Sequence, residues 1–466
     1  MISLKKNNPS KPSHRPISKG TTLMAGITAL MFGCEQERPA PNVTPDKPNI
    51  IIILPDDLGW SDVGYHGSDV RTPNIDQLAK TGVMLAQQYA MPTCTPTRVG
   101  LMTGMYPSRY GIVGPDYGEV IDLGDPTMAS ILRNNGYFTA INGKWHMGSP
   151  PYTPLQYGFD SSYGYFDGQI DPYTHEYKTE TDLTERRSWH RNDEYLDESG
   201  VHVTDLITKE AIRIIEEERE KPFFLYVAHH VPHFPLDEPD EWLSIYDDIP
   251  MMHPSRKLFA ASVTRMDDGI GQIVDALERT GQRENTLILF ISDNGGQHSW
   301  HHETEYHGAY ADKPHKVLGN NYPLRGWKRE LYEGGIRVPA FINWPGQLEP
   351  GVLESPIYVA DWLPTLTYLT NYPGELRADL DGRNIWPLIT GEQPPDYERQ
   401  LYWKTGQQFA VRDGRWKMVV NRNYNQVELF DIVNDFRETE DVSGRHPEIV
   451  ERMMVLLDEF RKGDRD

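Results

Sequence analysis

The chain has 466 residues, 38% of them hydrophobic and 24% charged, so it can bury a sizeable core and is too apolar for global disorder. Its formal net charge of −22 argues against a nucleic-acid binder, which needs a basic face to neutralise phosphates. With only two cysteines, Cys34 and Cys94, a small disulfide-held scaffold is excluded, and a single Cys34–Cys94 bridge is the plain alternative to separate roles for the two.

At the N-terminus, Lys5, Lys6, Lys11, Arg15 and Lys19 precede an apolar stretch from Leu23 to Gly33 that is too short to span a bilayer. Residues 1–33 resemble a bacterial lipoprotein signal, with Cys34 as the lipidated first residue of an exported, membrane-attached protein, periplasmic or on the outer-membrane surface. An ordinary signal peptide is the alternative. Residues 34–47 are polar and Pro-rich, as in a flexible tether.

The predicted fold begins at Asn49-Ile-Ile-Ile-Ile-Leu54, a run of β-branched residues that suits a strand covered on both faces. Similar runs are Tyr137–Ile141, Phe223–Val227 and Thr286–Ile291, and helical patterns fall at Val203–Arg219 and Phe259–Arg279. Alternating strands and helices predict a doubly wound α/β domain over 48–372. After about Tyr372 the pattern changes. Gln408–Val420 reads as a hairpin turning at Asp413-Gly414, Val427–Ile432 as a strand and Pro447–Arg461 as an amphipathic helix, predicting a smaller α+β subdomain with an antiparallel sheet over 373–466.

Each buried strand runs into a polar cluster. Leu54 leads to Asp56-Asp57, Ile141 to Lys144-Trp-His146, Val227 to His229-His230-Val-Pro-His233, and Ile291 to Asp293-Asn294. Parallel strands place such clusters along one edge, where open α/β sheets bind ligands. One polar loop means little; four point to a shared site. Asp56, Asp57, Asp293 and Asn294 offer only oxygen ligands, a hard set that suits Ca²⁺ better than a transition metal. Carboxylates crowded at one edge repel one another unless a cation binds.

The segment Cys94-Thr-Pro96-Thr97-Arg98, followed by Thr103-Gly104, resembles the signature of the type I sulfatases, Cys-x-Pro-Ser/Thr-Arg with a downstream Thr-Gly. The resemblance covers nearly all of 48–372. It is closest to the N-acetylgalactosamine-4-sulfatase (arylsulfatase B) type, through Gly158-Phe-Asp, Thr174-His175, Asp293-Asn-Gly-Gly296, Asn321-Tyr-Pro-Leu-Arg-Gly-Trp-Lys328 and Glu333-Gly-Gly-Ile-Arg-Val-Pro339. Met105 stands where the family usually has Arg. The resemblance implies an alkaline-phosphatase-like fold and a sulfuric ester hydrolase whose Cys94 a maturation enzyme oxidises to formylglycine. It also implies Asp56, Asp57, Asp293, Asn294 and the converted Cys94 around calcium, and Arg98, Lys144 and Lys328 as the cations about metal and sulfate. These supply the local basic pocket that an acidic protein needs for an anionic sugar.

Independently, Pro96 fits the first turn of a helix, whose N-terminus favours an anion at residue 94. A Cys94 thiolate nucleophile is the nearer chemical alternative, and a buried, unmodified cysteine is the inert one. His146 and His233 are the expected proton movers: His233 with Lys328 toward the leaving oxygen, His146 from the second hydroxyl of hydrated formylglycine. His229 and His230 are expected to be structural. Thr174 and His175 are candidates to touch sulfate. The stretch 297–316, with His298 and His301, reads as a substrate-binding insertion rather than a second metal site. The expected substrate is a sulfated oligosaccharide or polysaccharide. The alternatives are a phosphomonoester or phosphodiester hydrolase on the same scaffold, and an inactive lipid-anchored glycan-binding protein.

Overall fold

A computed structural model describes residues 47–116, 118–177, 186–250, 253–300, 315–316, 319–422 and 425–465, all within one compact unit. The signal-like segment, Cys34, the tether up to residue 46 and His301 lie outside the described residues.

Ten strands form the large sheet: β1 (Asn49–Leu54), β2 (Val83–Leu85), β3 (Phe138–Lys144), β4 (Ser161–Tyr165), β5 (His190–Arg191), β6 (Glu194–Tyr195), β7 (Phe223–Ala228), β8 (Thr286–Ile291), β9 (Ala340–Asn343) and β10 (Gly351–Leu353). Their spatial order is β10-β2-β9-β8-β1-β7-β3-β4-β5-β6. The central five, β8-β1-β7-β3-β4, are mutually parallel, while β9 joins β8 and β5 joins β4 antiparallel. The sheet is therefore mostly parallel, as the continuous apolar runs predict.

The pleat of β1 divides the core in two. Ile50, Ile52 and Leu54 pack with Val99, Leu101 and Met102 of helix α1 (Cys94–Thr103). Ile51 and Ile53 pack on the other face with Ile207 of α2 (Val203–Glu216) and with Phe259 and Ile270 of α3 (Pro254–Arg279). Each such side chain contributes about 1.5–3 kcal/mol by leaving water, and a strand with both faces covered has no polar positions to alternate.

The helix ends differ from the sequence reading for local reasons. α3 starts at Pro254, where the His253 side chain accepts from Ser255 N–H and Pro254 takes the first turn. α2 stops at Glu216, with Glu217 already extended; the run Glu216-Glu217-Glu218 puts like charge on the negative end of a helix dipole. β3 continues to Lys144 through Gly143, where a Cβ would meet the Ala228 carbonyl oxygen at 2.0 Å.

A second sheet of four antiparallel strands follows: β11 (Gln400–Thr405), β12 (Gln408–Asp413), β13 (Trp416–Asn421) and β14 (Gln426–Asp431), then α4 (Pro447–Arg461). Leu401, Trp403, Val411 and Met418 join the same buried cluster as β1 and α1. Trp403 Nε1 donates to Ala90 O at 2.9 Å, close before α1. Among the described residues no helix is long and apolar enough to cross a membrane.

Candidate active site

The carboxyl ends of β1, β3, β7 and β8 lie along one edge, and α1 points its N-terminus there. Cys94 is the first residue of α1, wholly buried, and its Sγ lies 3.3 Å from Asp56 Oδ1. Ligand atoms of Asp56, Asp57, Cys94 and His233 all fall within 4.8 Å of one another. Asp57 N–H donates to Asp293 Oδ1 at 3.1 Å, and Asn294 Nδ2 to Asp57 Oδ1 at 2.8 Å. Asp56, Asp57, Cys94, Asp293 and Asn294, separated by up to 238 positions, thus meet at one point.

The three cations named from sequence each hold one of the three carboxylates. Lys144 Nζ is 2.5 Å from Asp56 Oδ2, Lys328 Nζ 2.6 Å from Asp57 Oδ1, and Arg98 Nη2 2.9 Å from Asp293 Oδ2. All six groups are buried. The expectation that these carboxylates repel unless a metal binds needs correcting, since the side-chain cations already balance them one for one. The case for a cation rests instead on Asn294 Oδ1, which is buried without a hydrogen-bond partner among the described residues. It adjoins carboxylates that keep further lone pairs, so the donor set fits a hard divalent ion.

Burial pushes the Asp57 carboxyl up, but Lys328 and His233 outweigh it and bring it to about 2. Burial, then Asp56, raise Asp293 to about 6. Burial first and the Asp56 charge second drive the Cys94 thiol far above its usual range, so the thiol and not the thiolate is the resting form. Burial opposes the Lys328 charge, yet Asp57 outweighs it and holds the ammonium well above its ordinary range. Burial and the neighbouring Lys144 push His146 well below the usual imidazole value; burial and Lys328 do the same to His233. Both rings are therefore neutral at rest, whereas Lys328 is protonated.

Asp57, His146 and Arg329 hold positive φ angles of 68°, 53° and 79°. Non-glycine residues in this region cost free energy and concentrate at functional sites. His146 and His233 both lie among the site cations, with His233 Nε2 3.9 Å from Asp57 Oδ2. The structure does not bring Thr174 and His175 into the cluster: Thr174 is exposed, and His175 is held by Val201 O at 2.9 Å and stacks on Trp189. His229 and His230 are wholly buried, His230 tied to Pro235 O at 2.8 Å. His298 is exposed beside Trp327, at the rim. Sequence reading missed Tyr226, a buried β7 residue whose side chain neighbours Arg98. A tyrosine inside an apolar run gives no signal of that contact.

A mostly parallel sheet thus carries a buried cluster of carboxylates, cations and Cys94 at its carboxyl edge, where open α/β sheets place their ligand sites. The sulfatase family model matches residues 48–372, and a model of the N-sulphoglucosamine sulphohydrolase C-terminal region matches 325–463. Arylsulfatase J of Mus musculus is 31% identical over 487 residues, spanning 91% of this chain and 78% of that protein. The N-acetylgalactosamine-6-O-sulfatase of Bacteroides thetaiotaomicron is 27% identical, over 96% of this chain and 99% of its own. The crystal structure of Ps i-CgsB in complex with k-i-k-neocarrahexaose superposes with a TM-score of 0.79 at 32% identity, covering 90% of this chain and 94% of that one. The chain belongs to the sulfatase family and is a sulfuric ester hydrolase.

Proposed function

We propose that this protein removes sulfate from a sulfated oligosaccharide, using Cys94 matured to formylglycine beside a calcium ion. The observation that carries the reading is the meeting of Asp56, Asp57, Cys94, Asp293 and Asn294 with the cations Arg98, Lys144 and Lys328 at one buried point. The sugar class is supported by the relatives that act on, or are bound to, sulfated carbohydrates.

Asp56, Asp57, Asp293 and Asn294 would hold calcium, which when bound lowers the pKa of a neighbouring hydroxyl and stabilises oxyanion charge. Hydrated formylglycine would bring two hydroxyls to residue 94, one to attack sulfur and one whose deprotonation expels sulfate; a serine has only one. Lys144 and Lys328 orient the anionic ester, and Arg98 holds Asp293 in place. Lys328, protonated at rest, delivers the proton to the leaving sugar oxygen with His233 relaying. His146, neutral at rest, accepts the proton of the second hydroxyl. An anionic ester among these groups draws both imidazoles back toward their usual range, so both become better proton acceptors with substrate bound, His233 for the proton it relays and His146 for that of the second hydroxyl.

Residues 48–372 would form the catalytic region and 373–466 a supporting subdomain. A Cys94-maturing enzyme is the required partner. The chain would be exported to the periplasm or the cell surface, with Cys34 as its membrane attachment. The test is sulfate release from defined sulfated oligosaccharides against phosphate release from their phosphate counterparts. Sulfate turnover should dominate. Faster phosphate release would establish a phosphoester hydrolase, and no release of either an inactive glycan binder.

A further inference from the structure

Next to Lys328 lies a cavity of about 350 Å³, lined by Gln297, His298, Ser299, Trp327, Lys328, Arg329 and Glu330. Ligand clefts start near this size, at about 300 Å³. The turn that builds its wall is fixed at successive residues. Trp327 N–H donates to Glu330 Oε2 at 3.0 Å, Lys328 N–H to Gly296 O at 3.2 Å, and Arg329 N–H to Pro92 O at 2.7 Å, two residues before Cys94. The Trp327 indole is half-buried, with the His298 ring 5.0 Å away at 60°.

Two groups there await a partner. Gln297 is 8% exposed, and its buried Oε1 accepts no hydrogen bond among the described residues, although its Nε2 is engaged with Ser299 O. Arg329 is exposed and its guanidinium makes no ion pair among the described residues, in a chain of net charge −22. An aromatic face, a buried amide acceptor and a free cation on a rigid turn match one kind of ligand. A pyranose ring offers polarised C–H groups to the indole face, hydroxyl donors to the amide oxygen, and, when acidic, a sulfate or carboxylate to the guanidinium.

We propose that this cavity is a second sugar subsite, which binds the ring linked to the sulfated one, stacks it on Trp327 and reads an anionic substituent through Arg329. The inference rests on the reading of the chain as a carbohydrate sulfatase. The mature enzyme would therefore prefer a sulfated disaccharide or longer chain over a sulfated monosaccharide or an aryl sulfate. Because Lys328 floors both sites, occupancy of the second aligns the leaving oxygen of the first.

The test compares kcat/KM on a sulfated disaccharide with that on an aryl sulfate, for the mature wild type, Trp327→Ala and Trp327→Phe. The disaccharide-to-aryl ratio should fall by about tenfold or more in Trp327→Ala and largely recover in Trp327→Phe. Disaccharides carrying a neutral, sulfated or uronate neighbour form the second arm. Arg329→Gln should lower turnover more on one anionic neighbour than on the neutral one, and the one affected identifies the anion read. A ratio unmoved in Trp327→Ala, or moved equally in Trp327→Phe, overturns the stacking role. An equal loss on all three neighbours in Arg329→Gln overturns the charge role. A wild type inactive on every sulfate ester would instead overturn the underlying function, a result distinct from an unmoved ratio.

Discussion

Asn294 is the residue where charge pairing alone does not complete the site. Lys144, Lys328 and Arg98 satisfy the three carboxylates, whereas the Asn294 side-chain Oδ1 has no donor among the described residues. A buried acceptor left without a partner costs about 1–3 kcal/mol, which a bound cation would recover. Asn294→Leu should therefore weaken calcium affinity by at least about tenfold, measured by calorimetry on chelator-stripped protein, while the stripped variant should unfold no earlier than the stripped wild type. Equal calcium affinity in the two proteins would remove Asn294 from the ligand set. The meeting of the carboxylates with Lys144 was legible in sequence because these residues stand at or directly after the ends of strand-like runs, whereas Arg98 and Lys328 stand after no such run and were reached only through the family resemblance. The contacts of His175 with Trp189 and Val201 were not legible, because no local pattern connects those residues to it.

At the scale of elements, the turn bearing Lys328 leans on the C-terminal sheet. Lys417 of β13 is wholly buried and bridges Glu333 at 2.9 Å and Glu438 at 2.8 Å, while Glu438 Oε2 accepts Glu333 N–H. Glu333 opens the Glu-Gly-Gly segment, where Gly334 N–H donates to Arg325 O and Gly335 O accepts Gly295 N–H. Lys417→Met leaves two buried carboxylates facing each other and should destabilise the fold by about 3–5 kcal/mol. The double variant Lys417→Met/Glu438→Gln should recover part of that loss in denaturant unfolding; full additivity of the two changes would dissolve the network. The strands themselves were legible because Ile50–Leu54 and Leu287–Ile291 are apolar without interruption. The start of α3 was hidden by its polar first turn, Pro254-Ser-Arg-Lys257, and the Lys417 bridge by a position inside a hairpin that reads as ordinary alternation.

Across the molecule, acids outside the carboxylate cluster are buried too. Burial raises Glu238 from 4.5 to about 7, against the pull of Arg265 at 2.9 Å. A folded value above the unfolded one means the unfolded chain releases its proton first. The stability this group contributes is thus complete below about pH 4.5 and lost as pH rises through about 7. Glu238→Gln should flatten that decline, so its melting temperature relative to wild type should be higher at pH 8 than at pH 5; the same difference at both would contradict the assignment. The overall charge of −22 is compatible with an anionic substrate because the site carries its own cations inside an acidic surface.

The most direct measurement is peptide mass spectrometry at residue 94, paired with sulfate release from the same preparations. Protein produced with and without a maturation enzyme gives a graded fraction of converted Cys94. Turnover should rise in proportion to that fraction and fall by more than about 10³-fold in Cys94→Ala. Full activity in a preparation whose residue 94 is entirely unmodified cysteine would contradict the mechanism.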